Sequence, residues 1–266
     1  MTSQWRGKWA LVTGASAGIG QALARELAAG GTNLILTARR LERLEKLAAE
    51  LRGKFGAMTE VFAADLTERE APEKILAFTR GRGLVVELVV NNAGFGQYGE
   101  LPQVETQRWL DMVQVNCSAV VHLTRLYLPE MVARRSGDVL ILASTASFQA
   151  VPYISVYAAT KAFDLLFAEG LAAEMRPHGV RVCALCPGST ESEFHRVARQ
   201  EHLKFAGRHR ETAEKVARVG LAALASGKSS VISGAGNTFG VVAQRLVPRS
   251  LVTRMAAGMF KPKNKN

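Results

Sequence analysis

The sequence predicts an α/β fold, a doubly wound parallel sheet in a three-layer α/β/α arrangement that forms a single domain. Short apolar runs rich in β-branched residues alternate with longer helical patterns, as in repeated βαβ units. Runs that are apolar throughout, such as residues 139–142, indicate strands covered by helices on both faces of the sheet. The 266 residues contain no repeat or low-complexity linker that would separate a second domain.

Seven strands are predicted in chain order, with helices between them. The strands are residues 10–13, 34–37, 61–63, 88–90, 139–142, 180–185 and 231–233. The helices are residues 19–29, 41–51, 68–78, about 109–127 and about 157–175, with another beginning near residue 211.

Two irregular stretches stand outside this alternation. Residues 189–210 are predicted to form a lid over a substrate, and residues 240–260 one or two amphipathic helices divided near Pro248. We therefore expect a catalytic domain over residues 1–236, which includes the lid, and a basic amphipathic extension over residues 237–266.

Composition limits the classes of protein to consider. Hydrophobic residues make up 48% of the chain and charged residues 21%, which is typical of a globular protein with a large core. The apolar runs are too short for a signal peptide or a transmembrane helix. Three cysteines are too few for a disulfide scaffold, which favours the cytoplasm. Cys183 and Cys186 have zinc-knuckle spacing without a second pair, so core positions are favoured over a metal or redox site.

The formal net charge of +11 comes mostly from the carboxyl end, because no acidic residue follows Glu214. No aromatic platform accompanies these cations, so no specific nucleic-acid site is expected. Two interpretations of the tail stay open. It is either a solvated extension that covers a subunit or substrate entrance, or a segment that contacts an anionic membrane surface weakly.

The first predicted strand ends in a glycine-rich turn that opens directly into a helix. Its spacing, Gly14-x3-Gly18-x-Gly20, differs from the G-x-G-x-x-G dinucleotide fingerprint. The backbone N–H groups of such a turn, here with Ser16 and Ile19, can bind phosphate at the helix start. An ordinary glycine-rich turn is the alternative, but the position in the first βαβ unit favours a nucleotide site.

The end of the second strand indicates which dinucleotide binds. An NAD site would have an acidic residue there to bond the ribose hydroxyls, and this chain has Arg39 and Arg40 instead. Paired guanidinium groups suit a 2′-phosphate, so the sequence predicts NADP(H). The alternative is a solvated basic helix start, which is mildly unfavourable against the helix dipole.

Tyr157 and Lys161 are separated by one helical turn and so lie on one helix face. A nearby ammonium group should lower the pKa of the Tyr157 hydroxyl and make it a usable acid or base. Ser144, at the end of the preceding strand, is predicted to reach the same site.

These motifs occur in the order found in the short-chain dehydrogenase/reductase family, and the chain is identified as resembling that family. The matching segments are residues 13–20, 91–94, Asn116, Ser144, Tyr157 with Lys161, and Pro187 with Gly188. The resemblance implies a Rossmann-like fold, an NADP(H)-dependent oxidoreductase acting on a carbonyl or alcohol, and a homo-oligomer, either a dimer or a tetramer.

The family's residue roles carry over to matching positions. The resemblance implies that Tyr157 exchanges the proton, Ser144 orients the substrate oxygen, Lys161 bonds the nicotinamide ribose, and Asn116 holds a relay water. It also implies further cofactor contacts at Asp65 and Leu66, at Asn92, Ala93 and Gly94, and at Pro187, Gly188 and Thr190. Two positions depart from the common pattern. Ser192 replaces a threonine, and Ala17 replaces the basic residue of many NADP-preferring members.

The substrate is predicted to be hydrophobic, because aromatic and apolar residues surround the expected nicotinamide end. They are Phe95, Tyr98, Phe148, Val151, Tyr153, Phe194 and Phe205. No metal site is expected, and His195, His202 and His209 are interpreted as lid residues rather than ligands. The alternatives are a catalytically silent NADP(H)-binding or sensor protein, and a membrane-surface reductase of lipid or steroid ketones.

Overall fold

A computed structural model describes residues 3–194, 198 and 210–261. Its centre is a seven-stranded sheet in the order β3-β2-β1-β4-β5-β6-β7, with every neighbouring pair parallel. The strands are β1 (Trp9–Thr13), β2 (Asn33–Ala38), β3 (Thr59–Ala63), β4 (Val86–Asn91), β5 (Gly137–Leu142), β6 (Val180–Cys186) and β7 (Ser230–Ile232). The predicted doubly wound parallel sheet is confirmed.

Helices lie between the strands and after the last one. They are α1 (Gly18–Ala29), α2 (Leu41–Phe55), α3 (Ala71–Gly81), α4 (Thr106–Val113), α5 (Ala119–Ala133), α6 (Ser155–Met175), α7 (Ala213–Ala225), α8 (Ala235–Ala243) and α9 (Arg249–Phe260). The helix predicted through residues 109–127 is interrupted, because the π-helical turn Gln114–Ser118 separates α4 from α5. The division near Pro248 is confirmed, but α8 begins before the predicted boundary at residue 236.

Two apolar clusters fill the spaces on the two faces of the sheet. One contains Leu27 of α1, Leu47 of α2 and Leu221 of α7, and the other contains Leu123 of α5 and Leu165 of α6. Because both faces are covered, strands such as β6 are buried along almost their whole length.

The strand order reverses direction between β1 and β4, so a crevice opens outside the carboxyl ends of these strands. None of the helices in the described ranges has both the length and the apolar character needed to cross a bilayer.

Candidate active site

A cavity of about 620 Å³ occupies this crevice. Sixteen of the seventeen predicted cofactor-binding residues line it, and Gly20 is the exception: Gly14, Ser16, Gly18, Ile19, Arg39, Arg40, Asp65, Leu66, Asn92, Ala93, Gly94, Tyr157, Lys161, Pro187, Gly188 and Thr190. Ser144 lines the same cavity. Residues from position 14 to position 190 of the chain therefore meet at one site.

The glycine turn between β1 and α1 needs its glycines for two different reasons. Gly14 and Gly18 have φ values of +65° and +56°, a left-handed backbone that favours glycine. Gly20 allows close packing instead, because an added Cβ would collide with the Asn92 amide and the Gly14 carbonyl. The residue before α1, Ala17, gives the helix no side-chain cap, which leaves its first N–H groups able to bind an anion.

A network of hydrogen bonds fixes the ends of β1 and β4 beside this turn. The Thr13 hydroxyl donates to the Val90 carbonyl at 3.1 Å and accepts from the backbone N–H groups of Asn92 and Ala93, each at 2.9 Å. The Asn92 amide donates to the Thr13 carbonyl at 2.8 Å. These bonds hold residues 92–94 against the glycine turn.

The two arginines after β2 have different surroundings. Arg40 donates to the Ser16 hydroxyl at 3.2 Å and to Glu193 at 2.9 Å, and Arg43 bonds the same carboxylate at 3.1 Å. Arg39 lies 3.8 Å from Asp65 and is more exposed. The hydrogen bonds from Arg40 and then Arg43 lower the pKa of Glu193. Glu193 was missed by the sequence analysis, because 153 residues separate it from Arg40.

Ser144, Tyr157 and Lys161 converge as predicted. Ser144 follows β5 and caps a short 3₁₀ helix, Thr145–Phe148, by accepting from the Ala146 N–H at 3.1 Å. Tyr157 and Lys161 lie one turn apart near the start of α6, and the Ser144 side chain hydrogen-bonds Tyr157. The Lys161 ammonium donates to the Leu142 carbonyl at 2.6 Å.

The predicted lowering of the Tyr157 pKa is wrong as a net effect in this structure. Burial raises the pKa of Tyr157 and outweighs the Lys161 cation and the Ser144 hydrogen bond, which both act to lower it. Burial alone would lower the pKa of Lys161, but Asp164 and Tyr157 raise it above its usual value. The phenol is therefore held neutral beside a lysine that is held charged.

Asp164 explains why Lys161 stays charged, and the sequence analysis did not single it out. Its Oδ2 accepts from the Lys161 ammonium at 2.9 Å, and its side chain is fully buried. Burial raises the pKa of Asp164 to about 6, although Lys161 acts to lower it. Its position three residues after Lys161 on one helix was the signal that could have found it.

Asn116 lies behind the cavity in the π-helical turn and is completely buried. Its amide donates to the Phe95 carbonyl and to the Thr160 hydroxyl, each at 3.0 Å, and its oxygen accepts from the Phe95 N–H at 3.1 Å. The side chain therefore fastens the segment after Gly94 to α6. The predicted role in holding a relay water stays a prediction.

The predicted substrate residues divide into two groups. Phe95 and Phe194 line the cavity, and the Phe194 ring lies 5.2 Å from that of Tyr157 between centroids. The others in the described ranges pack in apolar clusters around the site rather than line it: Tyr98, Phe148, Val151 and Tyr153. Phe205 lies outside the described residues.

The carboxyl-terminal segment contributes cavity residues that the sequence analysis missed. Met259 and Phe260 of α9 and Asn237 of α8 line the cavity, and the Tyr98 hydroxyl donates to the Phe260 carbonyl at 2.7 Å. The amphipathic pattern of the tail was visible in the sequence, but Tyr98 lies 162 residues before its partner Phe260 in the chain. These three residues of the carboxyl-terminal segment therefore form part of the cavity wall.

The metal alternatives find no support among the residues described. No cluster of three or more metal-ligand side chains occurs in those ranges, and the three predicted lid histidines lie outside them. Cys183 and Cys186 are buried and unpaired, and burial raises the pKa of each thiol to about 12. Thiols held neutral in this way behave as small core residues.

Comparison with known proteins identifies the family. Residues 8–203 match the sequence profile described as short chain dehydrogenase. The chain belongs to the short-chain dehydrogenase family.

Relatives in this family differ in length and named activity. A very-long-chain 3-oxoacyl-CoA reductase from Phaeosphaeria nodorum is 37% identical over 181 residues, 66% of this chain and 53% of that protein. The chain thus spans about half the length of that relative. A serine 3-dehydrogenase from Agrobacterium fabrum is 39% identical over 187 residues, covering 69% of this chain and 72% of that protein.

Solved structures of the family agree with the whole fold. A short-chain dehydrogenase from Sphingobium yanoikuyae in complex with NADPH has a TM-score of 0.81 at 27% identity, covering 97% of this chain and 98% of that one. A 7beta-hydroxysteroid dehydrogenase has a TM-score of 0.86 at 27% identity, covering 96% and 99%. The similarity includes the carboxyl-terminal segment beyond the region that the family profile matches.

Proposed function

We propose that the protein is an NADP(H)-dependent oxidoreductase that interconverts a carbonyl and an alcohol of a hydrophobic substrate, with Tyr157 as acid and base. The observation that carries this proposal is the convergence of Ser144, Tyr157 and Lys161 on the cavity that the glycine turn lines. The NADPH complex of the Sphingobium yanoikuyae relative supports the choice of cofactor.

The residues present fit an NADP(H) molecule. The uncapped start of α1 and the glycine turn would hold the pyrophosphate, since both present backbone N–H groups to the cavity. Arg40, already hydrogen-bonded to Ser16, would bind the 2′-phosphate, with Arg39 at the same rim. The Lys161 ammonium has three N–H groups, and Leu142 and Asp164 take two of them. The third N–H can bond a ribose hydroxyl.

When bound, the nicotinamide supplies or accepts the hydride at the substrate carbon. In the direction of reduction, Tyr157 donates its hydroxyl proton to the carbonyl oxygen, and Ser144 hydrogen-bonds the reacting groups. The Lys161 cation stabilises the phenolate that this transfer leaves. Burial raises the pKa of Tyr157, so near neutrality the phenol carries the proton that reduction of a carbonyl requires.

The lining of the cavity supports an apolar substrate. Phe95, Ile154, Phe194, Met259 and Phe260 line it. Among the described lining residues, the charged side chains other than Lys161 pair with one another, Arg39 with Asp65 and Arg40 with Glu193. The names of the similar proteins, which include a 3-oxoacyl-CoA reductase and a hydroxysteroid dehydrogenase, are compatible with a lipid-like ketone. We therefore propose a hydrophobic ketone or aldehyde.

A panel of carbonyl compounds tests this proposal. Aliphatic and steroid ketones, 3-oxoacyl thioesters and a phosphorylated ketose are each mixed with the purified protein and NADPH or NADH. Loss of NADPH absorbance with the apolar members alone is expected. Tight NADPH binding without turnover of any compound would instead indicate the silent binding or sensor protein, and a preference for NADH would refute the role of the arginines.

We also propose that the protein forms a homo-oligomer and works in the cytoplasm. Exposed apolar side chains on α4, α5 and α6, including Val113, Val121 and Phe163, form a face that a second copy can cover. The three cysteines are unpaired, which suits a reducing compartment. Light scattering on the protein and on Phe163→Ser tests the assembly, since a monomeric parent would contradict it.

A further inference from the structure

The segment over residues 235–261 concentrates exposed apolar side chains. Six of the fifteen large hydrophobic residues exposed in the described ranges lie within it: Phe239, Val242, Leu246, Leu251, Met255 and Met259. Phe239 is 76% exposed and Leu246 is 88% exposed. We name these six residues the C-terminal surface. Such a concentration in one short segment is typical of an interaction site.

The spacing of these residues places them away from the protein core. On α8, Phe239 and Val242 are three residues apart, whereas Val241 is buried. On α9, Leu251, Met255 and Met259 follow i, i+4, i+8 spacing, whereas Ala256 is buried and Phe260 packs against the cluster around Tyr98. Each helix therefore buries one side and presents an apolar stripe on another.

The charges beside the C-terminal surface have one sign. Arg245, Arg249, Arg254 and Lys261 are all exposed, and residues 215–266 contain no acidic side chain. An apolar stripe flanked by cations is complementary to an anionic lipid headgroup layer above hydrocarbon. We propose that the C-terminal surface docks this protein on an anionic bilayer, with both helices lying in the plane of the interface.

A second copy of the chain fits this surface less well. In a two-fold contact the same patch meets itself, so the arginines of one copy would face those of the other. A lipid layer instead brings the opposite charge.

The docked orientation also bears on the substrate. Met259 belongs both to the C-terminal surface and to the cavity lining, and Phe260 follows it at the cavity. Docking would therefore set the substrate entrance against the bilayer, from which an apolar ketone could enter without crossing water. This last step rests on the proposed function, whereas docking itself does not.

Vesicle sedimentation tests the docking. The full chain is mixed with phosphatidylcholine vesicles, with or without phosphatidylserine, at low and at high salt. Binding is expected only with phosphatidylserine, and it should weaken at high salt. Removing three charges, by Arg245→Gln, Arg249→Gln and Arg254→Gln together, should weaken binding about a hundredfold. The pair Phe239→Ser and Leu246→Ser should weaken it about tenfold or more.

Matched variants elsewhere on the chain provide the controls. Lys46→Gln, Arg69→Gln and Lys228→Gln together remove the same charge from exposed positions outside the segment. The pair Met58→Ser and Val85→Ser removes two other exposed apolar side chains. Both controls should bind vesicles within about twofold of the parent, and circular dichroism should show all variants folded.

Two results would overturn the docking. One is binding that the arginine variants leave unchanged. The other is a parent protein that does not bind anionic vesicles; an oligomer that Phe239→Ser with Leu246→Ser dissociates would then assign the surface to a second copy. Turnover of a water-soluble ketone is measured in parallel. Vesicle binding without turnover would support the docking and contradict the proposed function. Turnover without vesicle binding would contradict the docking alone.

Discussion

Two pairs of charged residues, each with a member that lines the cavity, differ in burial. Lys161 and Asp164 have side-chain exposures of 7% and 0%, whereas Arg40 and Glu193 have 44% and 30%. Charges out of water interact strongly and shift one another's pKa values, whereas exposed pairs are screened and contribute little to stability. We therefore expect the buried pair to govern proton chemistry, and we expect changes in the exposed pair to alter the choice of cofactor at little cost in stability.

The largest expected effect tests the proton chemistry beside the buried pair. Tyr157→Phe removes the proton donor, so kcat should fall by about a thousandfold. The control is Tyr127→Phe, which loses a buried phenol hydrogen bond to Thr79 away from the cavity. Steady-state rates with NADPH and thermal unfolding are compared for the two variants. Equal turnover by Tyr157→Phe and the parent would remove Tyr157 from the mechanism.

The next effect concerns how the buried Asp164 carboxyl makes the stability of the protein depend on pH. The pKa of Asp164 is about 6 in the fold against 3.8 for the free side chain, so the folded state binds the proton more tightly between these values. The free energy of unfolding of the parent should therefore fall as pH rises from about 4 to 6, by up to about 3 kcal/mol relative to Asp164→Asn.

Urea unfolding of both proteins at several pH values measures this difference. Parallel curves for the parent and Asp164→Asn would show that the carboxyl does not titrate abnormally.

Steady-state kinetics of the parent and Asp164→Asn provide a second comparison. Because the Lys161 ammonium loses its anionic partner in Asp164→Asn, the pH profile of kcat should shift while the KM for NADPH changes little.

A smaller effect is expected at the exposed pair. Arg40→Ala removes the guanidinium that would bind the 2′-phosphate, so NADPH affinity should fall about tenfold while NADH affinity is unchanged. Arg69→Ala, at another exposed position, is the control. Fluorescence titration gives both dissociation constants. An equal loss of affinity for NADPH and NADH would show that Arg40 does not bind the 2′-phosphate.

The smallest effect tests the carboxylate that holds the two arginines. Glu193→Gln should change the free energy of unfolding by less than about 0.5 kcal/mol, because the ion pairs are exposed. It should raise NADPH affinity a few-fold, since the Glu193 charge competes with the phosphate for Arg40. Chemical denaturation and cofactor titration measure the two quantities. Weaker NADPH binding by this variant would show that Glu193 supports the site instead.

Features set by short-range spacing could be predicted from the sequence. The strands, the glycine turn from Gly14 to Gly20 and the pairing of Tyr157 with Lys161 depend on residues close in the chain, and the structure has them as predicted. The contact of Glu193 with Arg40 and of Phe260 with Tyr98 joins residues more than 100 positions apart. No local pattern encodes such pairs, so sequence reasoning missed them.

Burial was the other quantity that the sequence could not supply. The i, i+4 spacing correctly placed Lys161 beside Tyr157, but the sign of the net pKa shift depends on how much water the fold excludes. The sequence likewise showed a basic tail without showing that part of α9 packs against the cluster around Tyr98.

The hydrogen bond from Tyr98 to the Phe260 carbonyl has a consequence for handling the protein. Phe260 lines the cavity, so a bulky group fused to the chain soon after it would start close to the site. A tag before Met1 adds nothing to that segment. Assays of activity and of lipid binding therefore call for the amino-terminal tag, and a carboxyl-terminal fusion offers a simple means of obstructing the site on purpose.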